Sequence, residues 1–157
     1  MAFRSRLKKI GRDGSITTPG QIQKAGVPAF KVRSNNGTNT QSGTWVWTVE
    51  DFDQGGDFDL ANNRFTAPVD GVYFFSFNVL MGLSGSGTDN DIGYYQNGAF
   101  VTGTRIREDG NNTNLNGRTG VAILELDEND YIDVRLMSGS GYNNSTAYSG
   151  FYGYLIG

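Results

Sequence analysis

Residues 71–80 read GVYFFSFNVL, and no other stretch constrains the fold as strongly. Tyr73, Phe75, Phe77 and Val79 alternate with Val72, Phe74, Ser76 and Asn78, the period of two that belongs to a β-strand. Both sets are partly apolar, so both faces of this strand are expected to be covered at least in part. Gly71 opens the strand where a side chain would crowd a neighbour. Around it the chain repeats one grammar: short aromatic or β-branched runs separated by Gly, Asn, Ser, Thr and Asp. Glycine occurs 23 times in 157 residues and proline only 3 times, and no amphipathic helix or internal repeat is visible. This is the composition of an all-β protein. No stretch approaches the roughly 20 apolar residues a spanning helix requires.

The expected strands are Ala29–Arg33, Thr44–Val49, Arg64–Thr66, Gly71–Leu80, Ile92–Gln96, Phe100–Arg107, Thr119–Leu126, Tyr131–Met137 and Ala147–Ile156. Thr44–Val49 is expected to place Trp45 and Trp47 on one side. Asn97-Gly98 predicts a tight hairpin with positive φ, and Asp127–Asp130 a four-residue hairpin connection. Asn35–Gly43, Asp51–Asp59, Gly82–Asp91, Asp109–Asn116 and Ser138–Thr146 are expected to be loops.

The spacing from Trp47 to Phe77 follows a specific pattern. Trp47 is followed after five residues by Asp53, after four by Phe58, after six by Phe65, after five by Gly71, then by Tyr73, Phe75 and Phe77. This closely resembles the signature of the globular head of complement C1q, which is similar to tumour necrosis factor. One position departs, since Trp47 stands where the family usually has Phe; its bulk and aromaticity are kept. Gly120–Leu136 looks like the family's penultimate hairpin, and Tyr148–Phe151 followed by Tyr154-Leu155 like its closing strand. The resemblance covers about residues 28–157. It implies an antiparallel jelly-roll β-sandwich over residues 30–157 and a homotrimer around a threefold axis. It also implies that Trp47, Phe58, Phe65, Tyr73, Phe75, Phe77, Phe151, Tyr152 and Tyr154 build the core or the trimer contact. The two-faced strand and the aromatic final strand, Tyr152 and Tyr154, are consistent with such an additional interface.

Residues 1–29 differ from the rest. Arg4, Arg6, Lys8, Lys9, Arg12 and Lys24 face Asp13 alone within residues 1–24, a net of +5, while seven basic and fifteen acidic residues leave the remainder at −8. A basic arm on an acidic body points to an acidic partner for the arm. Residues 4–10 could make one short helical turn, with Leu7 and Ile10 on a common face, too short to stand alone in water. The segment is read as an anchoring arm carried by Arg4, Arg6, Leu7, Lys8, Lys9, Ile10 and Arg12; a frayed tail is the alternative.

The chain has no histidine and no cysteine, which removes the commonest general base, the commonest zinc ligand, the thiolate nucleophile and any disulfide. No enzyme activity and no cofactor are expected. Asp51–Asp59 invites a calcium reading but departs from the EF-hand pattern at Gly55 and Asn62, so no metal is assigned. Asp89/Asp91 and Glu125/Asp127 show no sign of converging as catalytic carboxylates. Gly82–Gly87 lacks the lysine and following helix of a phosphate loop. Nucleic acid is disfavoured as a partner because the acidic body opposes a wide footprint.

With a short arm, a trimeric head and no apolar leader, the reading expected is a bacteriophage virion surface protein made in the host cytoplasm. The specific form is a capsid decoration protein anchored by its arm on the major capsid protein or another virion protein. The alternatives are a receptor- or glycan-binding fibre tip, with Tyr94, Tyr95, Tyr142 and Tyr148 placed to stack on sugars, and an extracellular C1q-like adhesive module.

Overall fold

The computed structural model describes residues 9–10, 16–18, 21–23, 26–35, 39–82, 89–110, 114–143 and 147–157. All regular structure among them is antiparallel β. In chain order the strands are β1 (Lys9–Ile10), β2 (Ile16–Thr18), β3 (Gln21–Gln23), β4 (Ala29–Arg33), β5 (Asn39–Thr44), β6 (Val49–Gln54), β7 (Phe58–Asp59) and β8 (Arg64–Thr66). They continue with β9 (Gly71–Met81), β10 (Asn90–Gln96), β11 (Ala99–Phe100), β12 (Ile106–Glu108), β13 (Asn116–Leu126), β14 (Tyr131–Tyr142) and β15 (Gly150–Leu155).

One layer of the sandwich runs β13-β9-β15-β4-β6, and the other gathers β10, β11, β12, β5 and β8 around β14. Strand β9 sits between β13, which pairs with it along its whole length, and β15. Its odd positions Tyr73, Phe75, Phe77, Val79 and Met81 are buried, as the alternation requires. They meet Phe30, Val32, Trp45, Trp47, Phe58, Phe65, Ile92, Tyr94, Val134, Leu136 and Phe151 in one core. Phe30 lies within 5.0 Å, centroid to centroid, of Phe58, Phe65 and Phe151, in tilted, stacked and edge-on arrangements. Such geometry adds to burial because ring edges and faces carry opposite partial charge.

The two predicted hairpin turns form. Asn97 and Gly98 have φ of 51° and 82° and join β10 to β11. Asp130 N–H donates to Asp127 C=O at 3.0 Å, with Asn129 at φ 73°, between β13 and β14.

Several expectations are corrected. The strand predicted over Thr44–Val49 is instead the end of β5, a crossing and the start of β6. Because β5 pairs with β14 and β6 with β4, residues 45–48 pass between the layers, and Trp45 and Trp47 fill the gap they cross. Their backbone bonds are made across it, Trp45 N–H to Val134 C=O at 2.7 Å and Thr48 N–H to Arg33 C=O at 2.9 Å. The polar residues 39–43 and 51–54, expected in loops, belong to strands because each stretch lies beside a well-formed partner that satisfies its backbone groups.

The 100–107 strand is interrupted at 101–105 by Gly103 at φ 89° and by Thr104, whose Oγ1 donates to Val101 C=O and accepts from Tyr94 N–H. Strand β14 continues through the 138–142 stretch that was read as loop. There Gly139 at φ 83° makes a bulge and Ser140 N–H donates to Asn90 Oδ1 at 2.8 Å.

The arm residues Arg4, Arg6, Leu7, Lys8 and Arg12 lie outside the described residues. Lys9 and Ile10, expected in a helical turn, are strand β1, paired with Thr17 and Ile16 in a three-stranded sheet β1-β2-β3. Cross-strand pairing closes backbone bonds that a single helical turn leaves open.

Candidate functional site

The outer face of the β13-β9-β15-β4-β6 layer is where the molecule departs from an ordinary solvated surface. Strands β13 and β15 flank β9, and at Gly120, Ala122 and Gly153 small residues point inward while Val121, Ile123 and Tyr154 point outward. Gly120 pairs with Phe77 and Ala122 with Phe75. A Cβ on Gly120 would sit 2.4 Å from the Phe77 ring, and one on Gly153 would sit 2.5 Å from the Phe30 ring and 2.7 Å from that of Phe75. At these two positions the β9 and β4 aromatics leave no room for a side chain. Bulky apolar residues of the same strands also stand on the outside. Val121 and Ile123 are 58% and 64% exposed, and Tyr154 is 47% exposed.

The register assembles these residues into rows. Ile123 lies opposite Phe74, and Phe74 opposite Tyr154, with the Phe74 and Tyr154 rings 5.2 Å apart. Val72, also exposed, continues the patch. Isolated apolar side chains on a surface need no explanation, but a contiguous bulky row on one sheet face is a contact surface.

Toward β4 and β6 the same face becomes polar. Arg33 makes a two-pronged pair with Asp51, at 2.9 and 2.8 Å from Nε, and Lys31 Nζ reaches the same carboxylate at 2.9 Å. The hydrogen bonds from Arg33 and Lys31 hold Asp51 down to about pKa 2. Beside them the Tyr152 hydroxyl donates to Asn78 Oδ1, and Asn78 Nδ2 donates to Tyr148 C=O at 2.9 Å.

Of the aromatics singled out in the sequence, Trp47, Phe58, Phe65, Tyr73, Phe75, Phe77 and Phe151 are buried in the core. Tyr152 is half-buried and Tyr154 exposed, both on the outer face. Tyr94, a candidate for sugar stacking, is instead fully buried: it faces inward on β10 with Ile92, and its hydroxyl donates to Gly120 C=O at 3.0 Å. Tyr95 packs edge-on to Phe100 and lies under the Arg135 guanidinium. Tyr142 and Tyr148 form an edge-on pair 6.2 Å apart, with Tyr148 exposed.

The acidic segment 51–59 does not converge on a common point. Asp51 is engaged by Arg33 and Lys31, Asp53 Oδ2 accepts from Phe58 N–H at 2.8 Å, and Asp59 caps the turn at Ala61 and Asn62. No group of three or more acidic side chains placed to hold a metal occurs among the described residues. Asp91, expected in a loop, is buried on β10 and bound by Arg105, with Nε at 3.0 Å; Asp89 is bound by Arg107. Both carboxyls are held below the usual range, Asp89 by Gly110 N–H and then by Arg107, and Asp91 by Arg105. Val121, Ile123 and the Lys31–Arg33–Asp51 cluster escaped the sequence reading. The inverted pattern of Gly120–Ile123, small inside and large outside, was the available signal for the first two.

These features define a two-layer antiparallel jelly roll with a bulky apolar row on one outer face. More particularly, the C1q domain family matches residues 29–156, and the chain belongs to that family. Among solved structures it is similar to the globular domain of zebrafish complement 1qA protein, with 23% identity and a TM-score of 0.63 over 83% of this chain and 98% of that one. It is also similar to murine APRIL at pH 5.0, with 13% identity and a TM-score of 0.64 over 83% of this chain and 99% of the other. These likenesses concern the fold.

Proposed function

We propose that the chain is a non-catalytic C1q-like module whose protomers close into a homotrimer through the outer face of β13-β9-β15. The observation that carries this is the outward row Ile123–Phe74–Tyr154 with Val121 and Val72 beside it. A face with bulk on the outside and glycine on the inside gains stability only when a second surface covers it. A heterologous contact of this kind, repeated by a rotation that closes, forms a ring. Membership of the C1q domain family supports three copies.

The finer reading is a bacteriophage virion surface protein that decorates the capsid, its basic arm resting on acidic patches of the major capsid protein or another virion protein. The charge division, +5 within residues 1–24 and −8 beyond, supports it. Three arms on one trimer would multiply a weak contact into firm attachment. A second reading, a head that binds a surface glycan, draws on the edge-on Tyr142–Tyr148 pair, of which Tyr148 is exposed.

Light scattering tests the first claim. The wild-type chain at micromolar concentration is expected at three times its 17.1 kDa mass, and Ile123→Asp at one, with unchanged circular dichroism. A wild-type monomer would sink the trimer. For the finer reading, removal of residues 1–24 should leave the trimer intact and abolish binding to capsids; retained binding refutes the arm as anchor.

A further inference from the structure

The outer face of β13-β9-β15-β4-β6 is charged at two opposite corners. In the β4–β6 corner Lys31 and Arg33 share the single carboxylate of Asp51, which leaves one positive charge in excess. Glu50 lies opposite the buried Val32 and so belongs to the reverse side of that edge. In the β13 corner Glu125 lies opposite the outward Val72 and is exposed. Its carboxylate has no ion-pair partner among the described residues. The apolar row Ile123–Phe74–Tyr154 runs between the two corners. We propose that Glu125 of one copy seats against Lys31 of the next, so that each contact between protomers closes on an ion pair. The pair presupposes the association through this face proposed above and supplies its polar half.

Within one chain the two groups cannot meet. Lys31 is level with Tyr152 and Ser76, and Glu125 with Val72, four residues along β9. Strands β15 and β9 separate β4 from β13. Three strand spacings of about 4.8 Å and four residues of about 3.4 Å put their backbones roughly 20 Å apart, beyond the combined reach of the side chains. Only a second copy can therefore bring Glu125 to Lys31.

In a closed ring each copy offers one surface to the copy ahead and another to the copy behind. A face with its cation at one corner and its anion at the opposite one supplies both. Covering the apolar row also covers Lys31, because Lys31 and Tyr152 are level with Val121, and Tyr152 is two residues from Tyr154. An excess cation taken out of water without a counter-charge opposes association, and a carboxylate from the next copy removes that penalty.

The cation has room for this carboxylate. A recess of about 230 Å³ lies beside Lys31, lined also by Arg33, Asn78, Ser149 and Tyr152. Lys31 Nζ meets Asp51 at 2.9 Å, its side chain is still 41% exposed, and an ammonium has three N–H donors. The Tyr152 hydroxyl donates to Asn78, and Asn78 to the Tyr148 carbonyl, so the recess wall is held before the next copy arrives.

Sedimentation equilibrium of the full chain tests the pair by exchange of charge. Lys31→Glu and Glu125→Lys are each expected to raise the concentration at which half the chains are associated by about tenfold or more, and the double variant to restore it. Lys31→Met and Glu125→Gln place no new charge beside Asp51. Each should weaken association, and the two together no more than the larger single effect. Rising salt should weaken the wild type but not this doubly neutral variant. Single variants that associate like wild type, a charge exchange that restores nothing, or neutral variants whose effects add would each overturn the contact while a wild-type trimer stands. Equal weakening by Glu128→Lys, the same change of charge in the β13–β14 turn, would overturn it in favour of net charge. A monomeric wild type removes the trimer and the contact together. A wild-type dimer in which the exchange restores association would refute the trimer alone.

Discussion

Gly120, Gly153 and Ser34 show how single residues set the terms of this fold. Gly153→Ala would push a methyl group to 2.5–2.8 Å from the rings of Phe30 and Phe75, two aromatics locked among others. Overpacking of this sort costs about 1–3 kcal/mol, and urea denaturation is expected to report a loss in that range. In the opposite sense Phe75→Ala or Phe151→Ala opens a cavity at the centre of the cluster, with an expected loss of ~3–5 kcal/mol in the same measurement.

Ser34 is fully buried, takes the Trp45 indole N–H at 2.9 Å and donates to Val46 C=O at 2.6 Å, so it ties the crossing segment to β4. Ser34→Ala strands the indole and the carbonyl together. About 1–3 kcal/mol is the expected cost, set by the desolvation of the orphaned groups.

Among the strands, β6 illustrates how charge and pH enter. Asp51 on β6 is held at about pKa 2 by hydrogen bonds from Arg33 and Lys31 on β4. Its folded value lies below its unfolded one, so its contribution is complete above about pH 4 and disappears as the pH falls towards 2. Asp57, just beyond β6, has the reverse sign. Burial and the neighbouring Asp53 raise its pKa, and its Oδ2 is buried without a hydrogen-bond partner. Its contribution is complete below the ordinary carboxylate range and is lost as the pH rises through the raised value.

Asp57→Asn is therefore expected to raise the melting temperature at pH 7 by about 1–2 °C and to leave it unchanged at pH 3. Asp51→Asn should lower it at pH 7 and converge with wild type near pH 2. Differential scanning calorimetry at these pH values checks both. At neutral pH the two substitutions move stability in opposite directions, although both replace an Asp of one acidic segment.

For the whole molecule, the relevant contrast is between two faces of one sheet. The inner face of β9 fills the sandwich with Tyr73, Phe75 and Phe77; its outer face carries Val72 and Phe74 into a row completed from β13 and β15. If three copies bury that row, unfolding becomes concentration-dependent, because the folded state is then linked to association. A tenfold dilution of the wild type should lower the melting midpoint, while Ile123→Asp should melt at a lower midpoint that dilution does not move. A wild-type midpoint independent of concentration across the micromolar range would argue against burial of that row.

Sequence alone determined what local chemistry can determine. The alternation in GVYFFSFNVL assigned β9 and its buried residues, Asn97-Gly98 and Asp127–Asp130 placed two turns, and the Trp47–Phe77 spacing identified the family. Absent histidine and cysteine narrowed the chemistry. These signals are legible because each depends on neighbours a few residues away.

Tertiary structure decided the rest. Polar strands β5 and β6 read as loops because their strand character comes from the partners beside them, β14 and β4, and not from their own residues. Trp45 and Trp47 alternate as a strand would, yet cross between layers, because the layers they join are distant in sequence. Tyr94 looked like a surface aromatic until strand register turned it inward. The outer row draws on strands from three parts of the chain. No local pattern records that Ile123, Phe74 and Tyr154, or Lys31, Asn78 and Tyr152, come to lie side by side, since only sheet pairing sets that distance.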